Sequence, residues 1–245
     1  MRQLLVAMFT FMALASQLRA EDMLQYLRDT EEMIRHGKHK EALERLVWFH
    51  EHAIEHDRGI SGVRLSSALR LWKELGDDYR PAMQALIETR DRKTSQFQTE
   101  SGSSSVFQDV AALNRTLGDR DKTVKLFQLI HEQHPLLARQ CWIFAKDDVL
   151  SAGRYDLAHY YLDNPVRDFL RIKAFYDLRN AGFYGNDAPS SIRGREMNDE
   201  HFVEQTLMLI RVSIALGEKG AAKEIQRRAL DVIDDQRLRD AIDPK

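Results

Sequence analysis

Gly37, Gly118, Gly153 and Gly217 are each followed five residues later by a small residue, Ala42, Thr123, Ala158 and Ala222. Around each pair, apolar residues recur three and four apart, and alternating strand-like patterns are nearly absent. This spacing predicts antiparallel helices joined by tight turns. Glycine permits the positive φ that ends one helix, and a small residue in the first turn of the next lets the two backbones approach closely. A weaker copy, LWKELGDDYRPAMQAL, sets Gly76 six residues before Ala82 and predicts a turn with one extra residue.

The fullest unit is Val106 to Pro135, VFQDVAALNRTLGDRDKTVKLFQLIHEQHP. Phe107, Val110, Ala111 and Asn114 share one helical face, Leu117-Gly118-Asp119 turns the chain, Thr123, Phe127 and Ile130 face back, and Pro135 closes the unit. Trp142 and Tyr155 take aromatic positions around Gly153, and Ala229 follows Gly217 in the same frame. The spacing resembles the tetratricopeptide repeat, W-x2-L-G-x2-Y, then A-x3-F, then P. The resemblance is degenerate, since several aromatics and glycines are replaced and one unit alone keeps the terminal proline.

That resemblance implies an all-α fold in which antiparallel helix pairs stack as a right-handed α-solenoid, because one pair cannot bury its own apolar face. It also implies a concave wall, built from the first helix of each pair, that binds an extended peptide or another protein. Projected onto the repeat frame, Gln108, Ala112, Arg115, Ile143, Asp147, Leu207 and Arg211 fall on that wall. Gln108, Arg115, Asp147 and Arg211 are its candidate binding residues. Gln108 and Ala112 depart from the Lys/Asn cluster with which some members of the family grip a C-terminal carboxylate.

Two stretches interrupt the array. TSQFQTESGSSS, residues 94–105, is polar and serine-rich and reads as a linker between an N-terminal set of pairs, 21–93, and a C-terminal set, 106–245. Residues 182–198, GFYGNDAPSSIRGREMN, read as a glycine-rich loop in which Phe183, Tyr184, Arg193 and Arg195 are available to a partner. Between them, VRDFLRIKAFYDLRN (166–180) predicts an amphipathic helix whose dense face carries Phe169, Ile172, Phe175, Tyr176 and Arg179.

The first twenty residues, MRQLLVAMFTFMALASQLRA, combine an N-terminal Arg, an apolar run from Leu4 to Ala15 and small residues. They read as a secretory signal cleaved after Ala20, with Ala15 as the alternative, and the apolar run is shorter than the roughly 20 residues a membrane span needs. The expected product is an exported, periplasmic or secreted protein with no stable membrane insertion. The 38 acids and 36 bases nearly cancel without any basic run, which disfavours a nucleic-acid partner. Cys141 is the single cysteine, so no intramolecular disulfide forms, and beside Trp142 it reads as a small buried apolar residue.

One motif carries possible chemistry. His52-Ala53-Ile54-Glu55-His56 matches H-x-x-E-H, in which two imidazoles one helical turn apart hold zinc and the glutamate is a base. A zinc-binding protein or metallohydrolase using His52, Glu55 and His56 is therefore the alternative to a non-catalytic binding module. The motif lacks a recognisable third ligand, and its helix has an apolar stripe of Leu43, Leu46, Val47, Phe49, Ala53 and Ile54, which sets His50, Glu51 and Asp57 on the polar side. His131-Glu132-Gln133-His134 is one residue short of H-E-x-x-H and reads as a helix end, and no phosphate- or dinucleotide-binding fingerprint occurs. No cofactor is expected.

Overall fold

A computed structural model describes residues 22–99, 102–162, 164–182 and 189–242. The leader read at 1–20, and Phe183 and Tyr184, lie outside the described residues. Every regular element among the described residues is helical: α1 (22–35), α2 (His39–His56), α3 (Ser61–Arg64), α4 (Ser67–Asp78), α5 (Arg80–Thr99), α6 (Ser104–Leu117), α7 (Arg120–Gln133), α8 (Pro135–Ser151), α9 (Tyr155–Ala158), α10 (Pro165–Ala181), α11 (Pro189–Ala215), α12 (Lys219–Leu230) and α13 (Gln236–Arg239). None of the described helices is long and apolar enough to cross a membrane. The chain divides into two compact units, the first reaching Ile130 and including His134–Phe144, the second formed by His131–Gln133 and the residues from Ala145 onward.

The four glycine turns share one geometry. Gly37, Gly118, Gly153 and Gly217 have φ of 74°, 79°, 69° and 78°. Each glycine N–H donates to the carbonyl three residues back, at 3.0–3.2 Å, and the next N–H donates to the carbonyl five back, at 2.8–3.0 Å. This double bond pattern caps a helix whose last carbonyls have no partner of their own. The residue after each glycine, Lys38, Asp119, Arg154 or Glu218, has φ between −79° and −94° and ψ between 40° and 60°, which starts the next helix at once. Ala42, Thr123, Ala158 and Ala222 are wholly buried where the paired helices meet.

The weaker copy is built differently. Gly76 lies inside α4, and the turn is made by Tyr79 with φ −124° and ψ 93°. Gly76 instead allows close approach: a Cβ there would lie 3.0 Å from the backbone nitrogen of Met83 on α5. The predicted extra turn residue is thus replaced by a tight helix crossing, sealed by Trp72, whose Nε1 donates to the Ala82 carbonyl at 2.9 Å.

In the first unit Leu46, Phe49, Leu69, Trp72, Leu86 and Leu113 are buried in one core drawn from α2, α4, α5 and α6. Each such side chain contributes about 1.5–3 kcal/mol by leaving water. A file of rings continues from it: Phe97 on α5, Phe107 on α6, Phe127 on α7 and Trp142 on α8, with successive centroids 5.6, 6.2 and 5.6 Å apart. In the second unit Phe169 on α10 packs on Phe202 of α11, with Ile210, Ile225 and Ala229 completing the core. Asn164 caps α10 by accepting from the Arg167 N–H at 2.9 Å, and Pro165 opens the helix where a missing N–H costs nothing.

The two predicted interruptions are largely helical. Helix α5 runs to Thr99, so residues 94–99 are not linker. Buried Phe97 holds this turn, and the Thr94 and Thr99 hydroxyls donate back to the carbonyls of Arg90 and Ser95. Ser103 then caps α6 by accepting from the Val106 N–H. Likewise α11 starts at Pro189, so Arg193 and Arg195 are on a helix rather than a loop, anchored where Asn198 Nδ2 donates to the Tyr176 carbonyl and to Asn180 Oδ1. On α10, Phe175 points to solvent, 67% exposed, and leaves Phe169, Ile172 and Tyr176 as the packed face.

Candidate functional site

The zinc-type motif lies on an open surface. His52, Glu55 and His56 are all exposed on α2, with His52 Nδ1 at 3.4 Å from Glu55 Oε1. Both imidazoles flank Trp48, their centroids 5.8 and 5.4 Å from its ring. No group of three or more His, Cys, Asp or Glu side chains able to hold a metal ion occurs among the described residues.

His50, two residues earlier, departs from its predicted place. It is 1% exposed rather than on the polar side, and neither ring nitrogen has a hydrogen-bond partner among the described residues. Its ring meets Trp72 edge-on at 6.1 Å. Burial first, and then the Arg64 guanidinium, push its pKa down to about 4, so the imidazole is neutral at pH 7.

Around it runs a buried chain of charges that the sequence reading did not single out. Arg64 on α3 forks onto Asp109 of α6, Nη2 to Oδ1 and Nη1 to Oδ2 at 3.3 Å, and Nη1 also donates to the His50 carbonyl at 3.0 Å. Lys93 on α5 lies 3.3 Å from Asp109 Oδ2 and 3.4 Å from Glu51 Oε2, and Arg92 holds the other Glu51 oxygen at 2.6 Å. Burial raises the Glu51 pKa, but the Arg92 hydrogen bond and Lys93 outweigh it and hold the carboxyl below its usual range. Four helices are thereby tied through charges that are buried at Arg64 and Asp109 and reach the surface at Arg92.

On another side of α6 lies a cleft of about 410 Å³, walled by α5 and α7. Val110, Leu126 and Leu129 are its apolar lining, and the cations of Arg90, Lys122 and Lys125 are matched by the carboxylates of Asp91, Asp119 and Asp121. Arg90 Nη1 and Lys122 Nζ converge on one oxygen, Asp119 Oδ2, at 2.7 and 2.6 Å. Those bonds, Lys122 foremost and then Arg90, lower the Asp119 pKa and fix both cations in place. Such a volume falls among ligand-sized clefts of about 300–1,000 Å³.

The candidate wall residues are not part of this cleft. Gln108 and Arg115 are on α6 in the first unit, half-buried and exposed respectively, while Ala112 is buried in that unit's core. Asp147 on α8 and Arg211 on α11 belong to the second unit, where Leu207 is core rather than wall. Cys141 is fully buried, and burial pushes its thiol up to about 12, which leaves it inert as a nucleophile at neutral pH. His131 Nδ1 meets the Tyr161 hydroxyl at 2.6 Å instead of a helix-end carbonyl. No family model, curated protein or solved structure matches this chain.

Proposed function

We propose that this chain is an exported, tetratricopeptide-like module that binds a protein or peptide partner and has no chemistry of its own. The recurring turn carries the reading: four left-handed glycines, each with the same pair of capping bonds and a wholly buried small residue five positions on. Units of that kind stack side by side and create grooves between neighbours, which suits them to recognition rather than to catalysis. Large apolar side chains left in water, Leu136 and Ile143 on α8 and Phe175 and Leu178 on α10, support the same reading, because exposed apolar surface marks contact sites. Gln108 and Arg115 in the first unit, and Asp147 and Arg211 in the second, are candidate polar contacts.

The test is crosslinking of the full chain in its native host, with mass-spectrometric mapping of the attached residues on both proteins. A specific partner, attached at a reproducible set of positions and at fixed stoichiometry, is expected. Crosslinks scattered over abundant proteins, or none, would contradict the binding role. The same sample reports export, because a mature chain beginning at Glu21 is expected.

A further inference from the structure

We infer that His50 is a proton-operated latch, whose protonation releases the segment 57–66 from the core of the first unit. The latch is independent of what, if anything, the module binds.

The segment links α2 to α4 through a 3-10 turn, Arg58–Ile60, and α3. Ile60 and Arg64 are its two buried side chains, 3% and 4% exposed, and Val63 and Leu65 are half-buried. The N–H groups of Ile60, Leu65 and Ser66 donate to the carbonyls of Asp57, Ser61 and Val63 at 3.1–3.3 Å, so these backbone bonds close within the segment. Arg64 is the long-range fastener. Its fork crosses to Asp109 on α6, and the same guanidinium reaches the His50 carbonyl.

His50 lies behind that fastener. Both ring nitrogens are buried without a hydrogen-bond partner among the described residues. The charged groups acting on the ring are Glu51 of α2, Arg64 of α3, Lys93 of α5 and Asp109 of α6, while α4 supplies the uncharged Trp72. Both carboxylates are already engaged, Asp109 by Arg64 and Lys93, Glu51 by Arg92 and Lys93. A proton on His50 therefore adds a third cation beside Arg64 and Lys93, and turns a ring that already has no partner into two N–H donors. In a buried site that is costly unless the ring reaches water. The segment 57–66 is the part that can yield, because it is short and one of its two buried anchors is the guanidinium that the new charge repels.

The size of the response follows from the two environments. The imidazole titrates near 6.5 when the segment is open and near 4 when it is closed, so the open fraction rises about 20–30-fold from pH 7.5 to pH 5.

Amide hydrogen exchange of the full chain, read by mass spectrometry and corrected for the intrinsic pH dependence of exchange, tests the latch. Protection across residues 58–66 is expected to be at least about tenfold below that of α4 and α6 at every pH, and to fall about 20–30-fold between pH 7.5 and 5. His50→Gln and His50→Phe, the second of which keeps a ring, take up no proton and should remove the fall. His56→Ala, at an exposed imidazole beside the segment, should leave it intact. Circular dichroism reports that each variant is folded. Protection that ignores pH in the wild type, a fall that persists in both His50 variants or vanishes in His56→Ala, or exchange of 58–66 in step with α4 and α6 overturns the latch.

Discussion

Replacing Asp109 by Ala is expected to destabilise the first unit by about 3–5 kcal/mol, the cost of leaving a buried charge without its counterion. The Arg64 and Asp109 side chains are 5% and 9% exposed, so water does not take over when one partner is removed. Lys93 loses the same carboxylate and keeps Glu51, while Arg64 loses the carboxylate it forks onto. The Arg64 bond to the His50 carbonyl stays, but a neutral acceptor does not offset a full charge. Urea unfolding at pH 7, followed by tryptophan fluorescence, should show a lower midpoint at unchanged slope. Arg64→Met combined with Asp109→Leu should cost less than Asp109→Ala alone, because it removes both charges. Asp77→Asn, which breaks an exposed pair with Lys73, should shift stability by no more than about 0.5 kcal/mol. A loss below about 1 kcal/mol for Asp109→Ala would show that the buried chain does not hold the helices together.

Acid should weaken the same unit in a defined window. With its folded pKa near 4 and its ordinary value 6.5, His50 is neutral in the folded chain and protonated in the unfolded chain between those limits. The unfolded state binds more protons there, so stability is full above about pH 6.5 and declines as the pH falls towards 4. The loss reaches roughly 3 kcal/mol, since each pH step of one across that window removes about 1.4 kcal/mol. Depressed carboxylates such as Glu51 and Asp119 act in the same direction at lower pH, because their contribution is lost only as pH falls through their folded pKa values. Urea midpoints measured from pH 7.5 down to 4 should slope in the wild type and flatten in His50→Gln. An equal slope in both would mean that other groups set the acid response.

The helix pairs were legible because their signal is local: a left-handed turn all but requires glycine, and a close crossing requires a small residue a fixed distance on. Gly76 shows the limit of that rule, since a glycine needed for close approach to Met83 looks in sequence like one needed for a turn. The serine-rich stretch failed for a related reason. Polar composition suggests a loop, but Phe97 finds a buried place beside Phe107 and keeps the helix going to Thr99. His50 and Arg64 were missed because their burial depends on a partner far along the chain: Asp109 is 45 residues from Arg64. The one available clue was position, with Arg64 set between Val63 and Leu65, and Asp109 between Gln108 and Val110. The cleft was hidden for the same reason, since Arg90 and Lys122 meet only through Asp119.

The fold is built on one repeated object, the helix pair closed by a left-handed glycine, and its energetics can be measured directly. Gly118→Ala and Gly217→Ala, one in each unit, meet no neighbouring atom, so any cost comes from the backbone alone. Each should lower the unfolding free energy by about 1–2 kcal/mol, the penalty for a side chain in the left-handed region. Gly220→Ala, inside α12 and equally unobstructed, should be neutral or stabilising by up to about 1 kcal/mol. If Gly118→Ala and Gly217→Ala proved as stable as Gly220→Ala, the turns would not have the conformation on which the repeated pair is built, and the cleft between α5, α6 and α7 would lose its basis.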